Sequence, residues 1–154
     1  MAQTEPVHYQ EPGFFTKHVF NGIVALSTRL GLSVWGSRVL EVRGRTTGEP
    51  RRTPVNLLKL DGREYLVAPR GETQWVRNVR ADGGRLVLLL GKRREARQAQ
   101  ELADDEKVRV LRAYLRRWKA EVGVFFGGVG ADSTDEQLAA IAPRHPVFVL
   151  ERPQ

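Results

Sequence analysis

Asp61-Gly62 stands between two strand-like runs, Arg51–Leu60 and Arg63–Pro69, and commits this part of the chain to an antiparallel hairpin. A two-residue connection needs positive φ, which aspartate tolerates and glycine adopts freely. Strand-like runs recur at Val39–Arg45 and Arg85–Leu90, so three strands form a meander with a fourth close behind. Val55, Leu57, Leu58 and Leu60 pass from alternation into a continuous run, and Leu86–Leu90 is apolar throughout. Such strands are buried on both faces, as in a barrel core. A fifth strand, Arg93–Leu102, is polar enough for an edge or a barrel exterior. An exposed strand edge needs cover, which makes a homodimer an expectation.

Helical spacing frames these strands on both sides. Asp104 and Asp105 are placed to cap a helix reaching Glu121, with Val108, Leu111, Leu115, Trp118 and Val122 on one stripe and a solvated basic face. Thr134 and Gln137 form a capping-box pattern before Leu138–Ala142, and Pro146–Leu150 reads as a returning strand. The expected class is α+β: a small antiparallel barrel with peripheral helices. Upstream, Phe14–Leu30 repeats apolar residues at three and four residue steps and predicts an amphipathic helix ending near Gly31. Lys17, Asn21, Thr28 and Arg29 within it exclude a bilayer span, although an aromatic face with basic ends suits peripheral contact with an anionic inner membrane face. Packing on its own domain is the simpler expectation. Residues 1–12 read as a flexible tail without an apolar leader core, and 13–154 as one domain. The absence of cysteine excludes disulfides, thiolate nucleophiles and Cys-based metal sites, and fits a cytoplasmic protein.

Charge singles out one segment. Residues 40–97 hold 14 Lys/Arg against 7 Asp/Glu, and the rest of the chain holds 11 of each, so the net charge of +7 lies there. Within it, Gly44–Asn56 is a glycine-punctuated turn edged by Arg45, Arg51 and Arg52. Backbone N–H groups and guanidinium forks in such a turn can hold an anion. The turn follows a strand but opens no helix, so it is neither a Walker loop nor a dinucleotide fingerprint. Gly127-Gly128-Val129-Gly130 lacks a flanking strand and helix too, and reads as a flexible connection or a lid over a pocket.

Side chains for autonomous catalysis are missing. His8, His18 and His145 stand apart from one another and from acidic clusters, and no Gly-x-Ser-x-Gly elbow occurs. Glu101, Asp104, Asp105 and Glu106 are explained by a helix start. Any redox chemistry therefore arrives with a cofactor. After the third strand, Ala68-Pro69-Arg70-Gly71 leads to Thr73, a fitting N-cap, and to a short helix ended by Asp82-Gly83-Gly84. Trp75 and Asn78 share one face of that helix, an aromatic plane and an amide suited to a flat heteroaromatic ring.

The order Gly44-Arg45-x-x-Gly48-x-Pro50-Arg51-x-x-Pro54, Asp61-Gly62, Ala68-x-Arg70-Gly71 and Trp75-x-x-Asn78-x-x-Ala81 resembles the deazaflavin-dependent nitroreductase family. The resemblance is close over Val39–Gly91. It implies a flavin-reductase-like split β-barrel in which coenzyme F-420 passes hydride to quinone-like or nitroaromatic acceptors, as in the family's actinobacterial members. It also implies that Arg45 and Arg51, with Thr46, Thr47 and Gly48, hold the cofactor's phosphate and acidic tail. Pro54, Val55 and Asn56 would line the deazaflavin ring, with Ala68, Pro69 and Arg70 at its far edge and Trp75 and Asn78 on the adjoining helix. Thr46 stands where the family usually carries lysine, and Asn56 where nitro-reducing members often place tyrosine. FMN is the alternative cofactor. A non-enzymatic lipid- or fatty-acid-binding protein at the membrane surface is the alternative function, since relatives with this barrel bind such ligands. No recognition helix or stacking sheet motif supports nucleic-acid binding.

Overall fold

The structure, a computed structural model, describes residues 36–154. The expected tail and the helix Phe14–Leu30 lie outside the described residues. The Asp61-Gly62 hairpin is present: Leu60 pairs with Arg63, and Asp61 and Gly62 take φ of 52° and 79°. The strands are β1 (Ser37–Arg43), β2 (Pro50–Leu60), β3 (Arg63–Val67), β4 (Arg85–Leu90), β5 (Arg93–Glu101) and β6 (Val147–Glu151). They close a barrel in the order β1-β2-β3-β6-β5-β4, every pairing antiparallel. Closure decides between the two expectations for β5, which pairs with β4 on one side and β6 on the other and is a largely exposed part of the barrel wall, not an edge. An edge without a partner strand among the described residues remains along Pro50–Asn56 of β2, which pairs with β1 alone.

Two apolar clusters share the sheet. Leu40, Val42, Leu57, Leu66, Leu86, Leu88, Ala99, Phe148 and Leu150 fill the interior, joined by Val76 and Val79 from helix α1 (Gln74–Ala81). Leu58, Tyr65, Val67, Val147 and Val149 face outward from β2, β3 and β6. They pack under α2 (Val108–Val122) and α3 (Asp135–Ile141), against Leu111, Tyr114, Leu115, Trp118 and Leu138. Adjacent Leu57 and Leu58 are both buried because each belongs to a different cluster. Burial of each such side chain contributes about 1.5–3 kcal/mol. On β4 only Leu86, Leu88 and Leu90 are fully buried, while Val87 and Leu89 are half-buried, so its apolar run overstates two-sided burial.

Several boundaries differ from expectation for local reasons. β1 ends at Arg43, because Gly44 N donates to Glu49 O at 2.8 Å and opens the turn. β3 ends at Val67, and Ala68 N donates instead to Pro146 O at 2.9 Å. Asp104 and Asp105 do not cap α2. They lie in a 3-10 turn, Asp104–Glu106, and Lys107 precedes the helix without a side-chain cap. Asp104 Oδ1 pairs with buried Lys107 Nζ at 2.8 Å, and Glu106 Oε1 accepts from Ala103 N at 3.0 Å. The Thr134–Gln137 box does form, with reciprocal bonds of 3.1 and 2.8 Å. The basic face of α2 is more than solvated: Arg109 pairs with Asp61, and Arg112 with Asp135 while also donating to Ala131 O and Ser133 O. In Gly127–Gly130 the two leading glycines are exposed, while Val129 packs on the outer cluster, its N donating to Phe126 O (3.0 Å), and Gly130 N donates to Ser133 Oγ (2.9 Å).

On the outer barrel face, Glu41 accepts from Arg94 at 2.7 Å and Arg52 at 2.9 Å, linking β1 to β5 and β2. The Arg94 hydrogen bond, with Arg52 adding to it, holds the Glu41 carboxyl below the usual carboxylate range despite burial. A lowered folded-state value means stability that is present above the unfolded value of about 4.3 and lost as pH falls through the folded value. Both arginines are mostly exposed, so screening limits the effect. Glu41→Gln should cost about 1 kcal/mol at neutral pH. In urea titrations the variant and wild type should differ fully above the unfolded value of about 4.3 and converge only as pH falls through the lower folded-state value of Glu41.

Candidate functional site

The turn, the segment after β3 and α1 gather at one end of the barrel. Arg43 pairs with Pro50 at the base of the turn, Ala68 enters the interior cluster, and Val76 and Val79 of α1 close that cluster from above. Within the turn, Gly48 N donates to Gly44 O at 2.8 Å, and Thr47 Oγ1 accepts from Glu49 N at 3.2 Å. The amides of Thr46 and Thr47 donate to no oxygen among the described residues, and both residues are exposed. Gly48 has φ of 79°, and a Cβ built there would lie 3.7 Å from both Nε and Nη2 of Arg43. Arg51 Nη2 reaches Thr47 Oγ1 at 3.5 Å.

Arg43 beside Gly48, Arg51 at the Thr47 hydroxyl and Arg45 within the turn itself thus share this short segment with two open amides. No carboxylate among the described residues lies within ion-pair reach of these three. Several arginines elsewhere on the barrel are ion-paired: Arg52 and Arg94 with Glu41, Arg80 with Glu72 and Glu101, Arg97 with Glu64. Uncompensated charge beside open backbone donors is what a phosphate requires. The residues present fit the anionic part of a cofactor.

α1 is held firmly over this end. Arg80 donates to Glu101 at 2.8 and 2.7 Å and to Glu72 at 3.0 Å, which binds the helix to the end of β5 and to the preceding loop. These bonds, led by the one to Glu101, raise the guanidinium's pKa above its ordinary value. Glu101 is therefore an ion-pair partner and plays no part at a helix start. Thr73 occupies the N-cap position, yet its hydroxyl makes no capping bond and is buried without a partner. Trp75 is half-buried against the interior cluster, its ring 5.8 Å from that of Phe148 and tilted by 51°. Asn78 is 5% exposed, and its Oδ1 accepts from Arg45 N (3.1 Å) and Arg45 Nη1 (2.8 Å).

The expected site residues separate into groups. Arg45, Thr46, Thr47, Gly48 and Arg51 lie together on the exposed turn and its exit. Val55, Ala68 and Trp75 meet in the interior cluster, whereas Pro54 and Asn56 project from the opposite face of β2 by strand alternation. Pro69 and Arg70 are half-buried beside Ala68. Arg52 turns away to Glu41 and adds nothing to the turn. Arg43 was legible only as the end of a strand; its proximity to Gly48 emerges from the turn's backbone. His145 was set aside as isolated, and it is buried, stacked on Phe126 at 4.1 Å with Nδ1 3.4 Å from Ala68 O. No group of three or more His, Cys, Asp or Glu among the described residues could hold a metal ion.

A turn rich in arginine and open amides lies at the same end of the barrel as the half-buried Trp75, an arrangement compatible with a bound anionic cofactor. A family model matches residues 21–131, and the chain belongs to the F420H(2)-dependent quinone reductase family: it is an oxidoreductase whose cofactor is coenzyme F-420. A solved structure described as an F420-H2 dependent reductase is similar at 20% identity and a TM-score of 0.50, over 75% of this chain and 94% of that one. One described as a domain-swapped dimer shares 20% identity with a TM-score of 0.53, over 89% and 97%. A conserved hypothetical protein of Mycobacterium tuberculosis shares 15% identity with a TM-score of 0.52, over 84% and 79%. These likenesses show the fold. The curated proteins contain no match.

Gly48→Ala tests the turn directly. A side chain held at positive φ should cost about 1 kcal/mol in chemical denaturation. Fold and secondary structure should be retained by circular dichroism.

Proposed function

We propose that this chain reduces quinone-type acceptors with coenzyme F-420 seated across the turn end of the barrel. The presence of Arg43, Arg45 and Arg51, without a carboxylate partner among the described residues, in and beside a turn with open amides at Thr46 and Thr47 carries this reading. When bound, the reduced deazaflavin supplies the hydride. Arg45 and Arg51 would hold its phosphate and acidic tail, with the Thr46 and Thr47 hydroxyls and open amides as further donors and Gly48, its own N–H bonded to Gly44 O, shaping the turn. Val55 and Trp75, both half-buried, would pack on the ring and exclude water, with the buried Ala68 supporting them from beneath and Pro69 and Arg70 at the border. Pro54 and Asn56 contribute through their backbone, since their side chains leave from the other face. Quinones are preferred over nitroaromatics in this reading because the family match is to quinone reductases.

The lipid-carrier alternative draws on the segment before residue 36. No helix among the described residues is long and apolar enough to cross a membrane.

Titration of purified protein with coenzyme F-420 should give a saturable change in deazaflavin fluorescence at micromolar concentrations. No change would overturn the reading, and tighter binding of FMN would replace the cofactor. Arg45→Ala and Arg51→Ala should each weaken binding by about 1.5–3 kcal/mol. Steady-state assays with menadione and a nitroaromatic should show the higher kcat/KM for the quinone.

A further inference from the structure

We infer that Asn78 is a positioning residue for the anion turn, setting Arg45 for the cofactor's phosphate instead of contacting the ring. The inference rests on the reading that Arg45 holds that phosphate. A single amide oxygen, Asn78 Oδ1, accepts both the backbone N–H of Arg45 at 3.1 Å and its Nη1 at 2.8 Å. An amide oxygen has two lone pairs, so these bonds use its accepting capacity. The oxygen that sequence spacing aims at a ring is already committed to the turn.

The two ends of this bridge differ in rigidity. Asn78 is buried on a helix anchored by Val76 and Val79 in the barrel interior and by Arg80 to Glu72 and Glu101. Arg45 is exposed on a turn, where an arginine otherwise samples many rotamers and loses that freedom on binding. Asn78 removes much of that loss in advance, because one bond fixes the turn's backbone and the other its guanidinium. A neutral amide also orients the guanidinium without cancelling its charge. An aspartate at this position would make the same two contacts and compete with the phosphate.

The test compares coenzyme F-420 with its ribityl deazaflavin, which carries the ring but no phosphate, in fluorescence titrations of wild type, Asn78→Ala, Asn78→Asp, Arg45→Ala and the Arg45→Ala/Asn78→Ala double variant. Asn78→Ala should weaken coenzyme F-420 about tenfold while changing the ribityl compound less than about twofold. In the Arg45→Ala background it should add less than about twofold, since the group it acts through is gone. Asn78→Asp should weaken coenzyme F-420 at least as much as Asn78→Ala. It is close to isosteric and carries the comparison if Asn78→Ala fails to fold by thermal melting. Equal losses for both ligands, an unchanged affinity for coenzyme F-420 in a folded variant, or a full effect persisting without Arg45 would each overturn the inference alone. Wild-type protein that binds neither ligand would overturn the functional reading and the inference with it.

Discussion

Closure of the six-stranded sheet is the constraint on which the rest of the molecule depends. β1 pairs with β2 and β4, so every strand of the barrel has a partner on both sides over at least part of its length. Closure also divides the side chains into an interior set and an exterior set, which must be filled and covered separately. The interior is plugged at one end by Val76 and Val79 of α1, and the exterior of β2, β3 and β6 is roofed by α2 and α3. The Gly44–Glu49 turn and α1 therefore reach the same end of the barrel, where Arg45 and Asn78, 33 residues apart, can meet.

Charge on this scaffold is distributed with a clear division of labour. Glu41, Glu64, Glu72 and Glu101 neutralise arginines on the barrel wall, where the pairs join strands and hold α1 in place. The turn is left with arginines facing no carboxylate among the described residues. A localised field of this kind draws an anionic ligand to one place on the surface. The neutral Asn78 amide next to Arg45 keeps that field intact.

Much of this was legible in the chain because local patterns and global fold agree. Asp61-Gly62 specified its hairpin, Thr134 and Gln137 their box, and the stripe from Val108 to Val122 its buried face. Glycine and arginine spacing also singled out Gly44–Asn56, of which the structure forms a turn from Gly44 to Glu49 followed by strand β2. What could not be read depended on partners distant in sequence. Asp104 looked like a cap until Lys107 claimed it, and β5 could have been an edge or an exterior strand until β6 returned to pair with it. Trp75 and Asn78 share a helix face, but one settles against Phe148 and the other against Arg45. Helical periodicity gives a side chain's direction and leaves its partner undetermined.

The most direct test of the account is a crystal structure of the protein with coenzyme F-420. The phosphate should lie within hydrogen-bond distance of the Thr46 and Thr47 amides and the Arg45 and Arg51 guanidiniums, with the ring against Val55 and Trp75. A cofactor whose phosphate sits away from the Gly44–Glu49 turn would contradict it.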